Sequence, residues 1–263
     1  MIIRGAVKSD AGRVRRENED AFGFFPDLSF FAVADGVGGS VAGATASLLT
    51  IEALRRSLTE TQKSELTPVT DASGRRSVAG RRLVIAIEAA NERLREACRA
   101  NPRIKGMGST IAAVLFDHPA TLVAIGHVGD TRVYRIRDGR IEQLTEDHTL
   151  AQQLIKIGKL SPAELPASPH RHLLTRAVGA EDTVIPDLRL ESTLPGDVFV
   201  LSSDGIHDVV TAAEIADAML ANPASLEQAC ARLIALANER GGPDNSTVLA
   251  VACDAEPAPP PRI

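Results

Sequence analysis

Aromatic residues are scarce in this chain: there is no Trp, one Tyr and seven Phe among 263 residues. A core must therefore rely mainly on Ala, Val, Leu and Ile. A hydrophobic content of 44% supplies enough of these for one large domain or two small ones. Cysteine is also rare. Cys98, Cys230 and Cys253 are widely spaced, odd in number and free of any CxxC pair, which excludes a disulfide framework and fits reduced core residues of a cytoplasmic protein. No apolar run approaches the roughly 18 residues of a membrane span. The N-terminus enters Ile2-Ile3-Arg4 without a signal-like segment. A net charge of −5 with no basic block gives no reason to expect nucleic acid or membrane as a partner. Asn245-Ser246-Thr247 matches a glycosylation sequon, but without a secretory signal the match is read as chance.

What is present centres on Phe30-Phe31-Ala32-Val33-Ala34-Asp35-Gly36-Val37-Gly38-Gly39. An apolar run of this length reads as a buried strand, and it delivers one carboxylate into a Gly-rich turn. Such a corner can hold a hard cation, because the glycines let a backbone carbonyl come close. It can also be an ordinary tight turn. The pattern recurs at Val198-Phe199-Val200-Leu201-Ser202-Ser203-Asp204-Gly205, with Asp208 four residues on. It appears in looser form at Gly129-Asp130, where a turn cap is the simpler reading, and at Gly241-Gly242-Pro243-Asp244.

Between these corners the chain alternates in texture. Strands are expected over 2–7, 21–25, 30–34, 110–116, 121–128 (bounded by Pro119), 131–137, 141–144, 186–191, 197–201 and 246–253. Asp138-Gly139 is a strong hairpin signal. Helices are expected over 41–58, 81–100, 149–157 (closed by Gly158), 212–221 and 226–239, the last opened by Ser225 and Gln228 as a capping box. Residues 60–80 read as a mobile connection, and 159–172, with three prolines, as an irregular flap over a site. The octet Arg13 to Asp20 is dense in both charges but pinned by apolar flanks. His127 and His148 are expected to hydrogen-bond within turns or strands, and His170 and His172 lie in the flap.

Acids at strand ends, far apart in sequence and unaccompanied by His or Cys at ligand spacing, favour Mg²⁺ or Mn²⁺ over Zn²⁺. Carboxylates converging on one point repel unless cations lie between them. Two bridged cations are the usual means by which such a cluster hydrolyses phosphate esters.

Eight segments, in order, resemble the metal-dependent Ser/Thr protein phosphatases of the type 2C family in their compact bacterial form. They are Gly12 to Asp20, Ala34 to Gly39, Gly108-Ser109-Thr110, Val128 to Arg132, Leu144 to His148, Leu174 to Gly179, Ser203-Asp204-Gly205 and Gly241 to Val248. The resemblance implies an α+β fold, a four-layer α-β-β-α sandwich of two antiparallel β-sheets flanked by helices. It implies one catalytic domain over 1–253 and a Pro-rich disordered tail over 254–263. It implies hydrolysis of phosphoserine and phosphothreonine on proteins by a metal-activated water at a binuclear Mn²⁺ or Mg²⁺ centre, with a weaker third cation. By the same resemblance Asp35 bridges two cations and the Gly36 carbonyl binds the second, while Asp204 and Asp244 complete the first. Glu19 and Asp20 act through metal-held water. Asp130 takes the third cation with Asp204 or Asp208, and Arg15 grips the substrate phosphate. A monomer acting against a cognate bacterial Ser/Thr kinase and its substrates is expected.

The chain also departs from that pattern. Val37 stands where many eukaryotic relatives place a His, the favoured general acid, and Ala44 where bacterial relatives often have Glu. The insert near 59–80 is longer than in the minimal form. Two alternatives to a general phosphatase stay open: a catalytically silent phosphoprotein-binding relative, and a phosphatase acting on an anti-sigma antagonist.

Overall fold

A computed structural model describes residues 1–117, 121–223 and 225–256. Most of the expected tail, 257–263, and Pro119 lie outside the described residues. The elements run β1 (Ile2–Asp10), β2 (Asp20–Phe25), β3 (Phe30–Val37), α1 (Ser40–Glu60), β4 (Val69–Thr70), β5 (Arg76–Ser77) and α2 (Val78–Ala100). Then follow β6 (Gly108–Ser109), β7 (Ile111–Phe116), β8 (Leu122–Val128), β9 (Arg132–Arg137), β10 (Arg140–Gln143) and α3 (Leu150–Lys156). The last third holds β11 (Asp187–Ser192), β12 (Val198–Ser202), α4 (Asp204–His207), α5 (Ala212–Ala221), α6 (Leu226–Glu239) and β13 (Ser246–Asp254).

Two sheets form, in the orders β1-β13-β12-β9-β10 and β11-β8-β7-β3-β2, with antiparallel pairing throughout. Period-two alternation sorts β3 into two cores. Phe30, Ala32 and Ala34 face α1 and α2. Phe31 and Val33 face the other sheet together with Phe199, Leu201, Leu249 and Val251. A third apolar layer joins Val200, Val248 and Ala250 to α5 and α6. Three cores between four layers are the sandwich that the sequence predicts.

The few aromatics are concentrated where the space is widest. Phe24, Phe31, Phe116 and Phe199 contact in edge-on succession, with centroids 5.4, 6.2 and 5.6 Å apart, which fills the gap between sheets. Small Ala residues on the outer face of β3 let α1 approach. The Asp138-Gly139 hairpin forms as expected, both residues at positive φ (50° and 72°), as a two-residue hairpin turn with Gly second requires. All three cysteines are free.

Three local expectations change. Residues 60–80 are more than a loose connection, because β4 and β5 pair as a hairpin whose turn docks on β11. Asp71 Oδ2 accepts the Leu190 N–H at 2.9 Å, and Arg75 Nη1 donates to the Leu190 carbonyl at 2.7 Å. The insert thereby occupies polar backbone groups along an edge strand that could otherwise recruit another chain. Helix α2 starts three residues early, because Ser77 Oγ accepts the Gly80 N–H. At α6 only half of the capping box forms. Ser225 caps the Gln228 N–H, but the Gln228 side chain turns to Asn222.

Candidate metal centre

Six stretches meet at one end of the sandwich around a pocket of about 370 Å³, lined by Arg15, Glu19, Asp35, Gly36, Asp130, His172, Asp204 and Asp244 among others. Asp35 follows the apolar run Phe30–Ala34 of β3 and is flanked by buried Ala34 and Gly36. Thr110 holds it twice: its Oγ1 accepts the Asp35 N–H at 3.0 Å, and its N–H donates to the Asp35 carbonyl at 2.8 Å. The Thr110 hydroxyl also pairs with that of Thr131, so one residue ties Asp35 to the Asp130 corner. Gly129, at φ 105°, makes that corner, and a Cβ there would lie 2.6 Å from the Thr110 side chain.

Gly36 and Gly43 pack backbone to backbone. A Cβ on Gly36 would meet the Gly43 carbonyl oxygen at 1.9 Å, and one on Gly43 would meet Glu19 Oε2 at 1.8 Å. The first turn of α1 is therefore a cradle for the Glu19 carboxylate. An isolated Gly early in a helix signals such a close approach, and that signal could have found Gly43. Asn245 is a second residue beyond the expected set. Its Oδ1 accepts the Glu19 N–H at 2.8 Å, while its Nδ2 donates to the Ala11 and Glu17 carbonyls. The charged octet is thus clamped to the start of β13, and the residue of the chance sequon is buried.

Asp204 opens the one-turn helix α4, and Gly205 lets the Asn245 backbone come close, since a Cβ would lie 1.9 Å from its oxygen. Asp20 sits beside Asp35 across the β2–β3 ladder and accepts from Ser203 Oγ at 2.7 Å. It lies behind the pocket wall rather than in it. Arg15 Nη2 donates to Asp244 Oδ2 at 2.8 Å. Asp130 and Asp204 come together with His172 of the flap, their ligand atoms within 4.8 Å of one another. Asp208 stands apart, with its Oδ2 3.4 Å from His172 Nε2 and 3.9 Å from Arg171. His207 turns inward, its Nδ1 2.9 Å from Ser202 Oγ.

The electrostatics are those of anions held too close. Burial, then the charges of Asp20 and Asp204, raise the Asp35 pKa well above the usual carboxylate range. Burial, then Asp130, does the same for Asp204. Burial lifts Asp20 to about 6 against the Ser203 hydrogen bond, and lifts Asp130 to about 7 with help from Asp147. Glu19 is raised by burial and lowered by Arg15. Oδ1 of Asp20 and Oδ1 of Asp204 are buried without a hydrogen-bond partner. Unpaired buried carboxylate oxygens in a cluster that is carboxylate throughout except for His172 are the donor set of a hard divalent cation. The residues fit Mn²⁺ or Mg²⁺.

The profile of the protein phosphatase 2C family matches residues 10–250. The chain belongs to the protein phosphatase 2C family. Within the family it is 36% identical over 249 residues to the serine/threonine protein phosphatase PstP of Mycobacterium tuberculosis, covering 95% of this chain and 45% of that protein. The chain thus spans about half the length of that relative. It is 32% identical to a putative protein phosphatase 2C-type protein of Streptococcus pyogenes serotype M6, over 95% of this chain and 98% of that one. A solved PstP catalytic domain in complex with two manganese ions superposes with a TM-score of 0.82 at 32% identity, covering 96% of this chain and 99% of that one.

Proposed function

We propose that residues 1–253 form one catalytic unit that hydrolyses phosphoserine and phosphothreonine on proteins at a two-cation centre. The observation that carries this is the convergence of Asp35, Asp130, Asp204 and Asp244 on one pocket, with buried carboxylate oxygens left unpaired. Asp35, the Gly36 carbonyl, Asp204 and Asp244 would hold the two cations, with Asp35 shared between them. Glu19 and Asp20 would act at one remove, and Asp130 with Asp204 would hold a weaker third cation, with Asp208 in support. When bound, the divalent cations supply charge neutralisation and an acidified water for in-line attack at phosphorus.

The chain's own residues do the remainder. Arg15, at the pocket rim with its guanidinium half exposed, binds the phosphate oxygens of the substrate through a planar fork suited to them. The carboxylates hold the cations in one place, so that the charge developing in the transition state meets a fixed field. Val37 lines the pocket where it can donate no proton, and His172 is its one imidazole among the described residues. Among the described residues no helix is long and apolar enough to cross a membrane. The proposed setting is cytoplasmic signalling by a monomer that reverses a bacterial Ser/Thr kinase.

The test is hydrolysis of p-nitrophenyl phosphate and a phosphothreonine peptide with Mn²⁺, Mg²⁺ or EDTA, for the wild type and Asp204→Asn. The expected result is turnover that needs the cation and collapses in the variant. Turnover that survives both EDTA and Asp204→Asn would overturn the assignment, and a folded, cation-loaded protein with no turnover would make the chain a binding module.

A further inference from the structure

A second, wider cavity lies away from the acidic pocket and shares no lining residue with it. It measures about 910 Å³ and runs between the turn of the β4–β5 hairpin (Ala72), the flap (Leu165) and the sheet edge carrying His127 and Asp187. The two irregular excursions of the chain, the insert and the flap, thus both wall one cleft.

Three donor atoms stand at its inner side. Ligand atoms of His127, His148 and Asp187 lie within 4.8 Å of one another, and the two rings are tilted with centroids 4.6 Å apart. Both imidazoles are buried, and neither nitrogen of His127 has a hydrogen-bond partner. His148 Nε2 faces Asp187 Oδ2 at 3.2 Å, yet off the line of a hydrogen bond. Of the hydrogen bonds expected for the two histidines, that of His148 to Gly129 forms, while the His127 ring has only a poorly aligned approach to the Thr131 backbone. An unpaired buried imidazole costs stability, and the His127 ring, the Nε2 edge of His148 and the Asp187 carboxylate together have the donor pattern of a metal site.

We propose that His127, His148 and Asp187 form a binding site for a borderline divalent cation of the Zn²⁺ type, separate from the acidic centre. Two imidazoles and one carboxylate suit Zn²⁺, whereas Mg²⁺ and Mn²⁺ prefer the carboxylate-rich cluster. Burial drops the His127 pKa to about 3, so its ring is neutral and offers a lone pair. His148, and after it Arg176, hold Asp187 below the usual carboxylate range, so it is ionised. Tetrahedral Zn²⁺ needs ligands about 2.0–2.1 Å away, hence about 3.4 Å apart, so the three donors must close in from the 4.8 Å within which they lie. His127 and Asp187 line the cleft, which is the side from which a cation would enter.

The site has a built-in cost. His148 Nδ1 accepts the Gly129 N–H at 3.0 Å, which places the ring proton on Nε2. Coordination at Nε2 moves that proton to Nδ1, where it faces the Gly129 N–H. The hydrogen bond is lost, and the strained corner next to Asp130 must adjust.

The experiment is a Zn²⁺ titration of the whole protein in saturating Mg²⁺, with Zn K-edge X-ray absorption on the complex. Variants are His127→Ala, Asp187→Asn and, as a control at the acidic centre, Asp204→Asn. One equivalent should bind with imidazole scattering, persist in Asp204→Asn and weaken by about 10–100-fold in the other two. Asp187 is half exposed, so its variant decides the matter even if His127→Ala fails to fold. The proposal is overturned if no Zn²⁺ binds, or if binding is lost in Asp204→Asn while unchanged in Asp187→Asn.

Discussion

The corners at Asp35-Gly36 and Asp204-Gly205 read alike in sequence, yet the chain leaves them differently. After Asp35 the strand continues to Val37 and pairs with β6, whereas at Asp204 it turns at once into the single helical turn α4. In both, the glycine marks where a second backbone presses in: the start of α1 at Gly36, the Asp244–Asn245 loop at Gly205. The shared pattern therefore encodes a close crossing that fixes a carboxylate. What the chain does next is set by the partner that crosses.

If the corners are equivalent in function, Asp35→Asn and Asp204→Asn should each lower cation-dependent kcat/KM by about a thousandfold, or ~4 kcal/mol. A variant that keeps more than a tenth of the activity would show that one corner is dispensable. Gly36→Ala and Gly205→Ala should each destabilise by about 3 kcal/mol or more, read by urea unfolding, because the added carbon meets rigid backbone. Gly43→Ala tests both kinds of obstacle, since its added carbon meets the movable Glu19 side chain at 1.8 Å and the rigid Gly36 carbonyl oxygen at 2.8 Å. It should cost about 1–3 kcal/mol while lowering activity.

A pH series probes the charge that both corners share. The folded pKa values of Asp20 and Asp130, about 6 and 7, exceed the unfolded value of about 3.9. The folded chain then binds more protons than the unfolded one, so stability falls as pH rises through that range. With EDTA, Tm should drop between about pH 4 and 7, and Mn²⁺ should abolish the slope. A flat EDTA profile would contradict the crowding of anions. The smallest effects belong to the supports: Thr110→Val beneath Asp35 and Ser203→Ala beside Asp20 should each cost about 1 kcal/mol.

The layers and the acidic corners were legible because each follows from a local pattern: alternation along β3, helical spacing in α2, an acid before glycine at a strand end. The supports of those corners were not. Asn245 acts on Glu19, Ser203 on Asp20 and Thr110 on Asp35, each across a long stretch of chain, and no local periodicity encodes such pairings. The insert was misread for the same reason, as its polar turn finds its partners at Leu190. Gln228 shows the converse: the local signal for a box was present, and Asn222 competed successfully for its side chain.

The strand that completes the first sheet is the last to be made. β13 lies between β1 and β12, and its approach carries both Asp244 and the Asn245 clamp on the octet near residue 19. At a synthesis rate of about 5–20 residues per second, Glu19 precedes Asn245 out of the ribosome by roughly 10–45 s. Throughout that interval the nascent chain lacks an assembled centre, and so does any fragment released early by a stalled ribosome. The order of the strands thus delays assembly of the centre until β13 has been made.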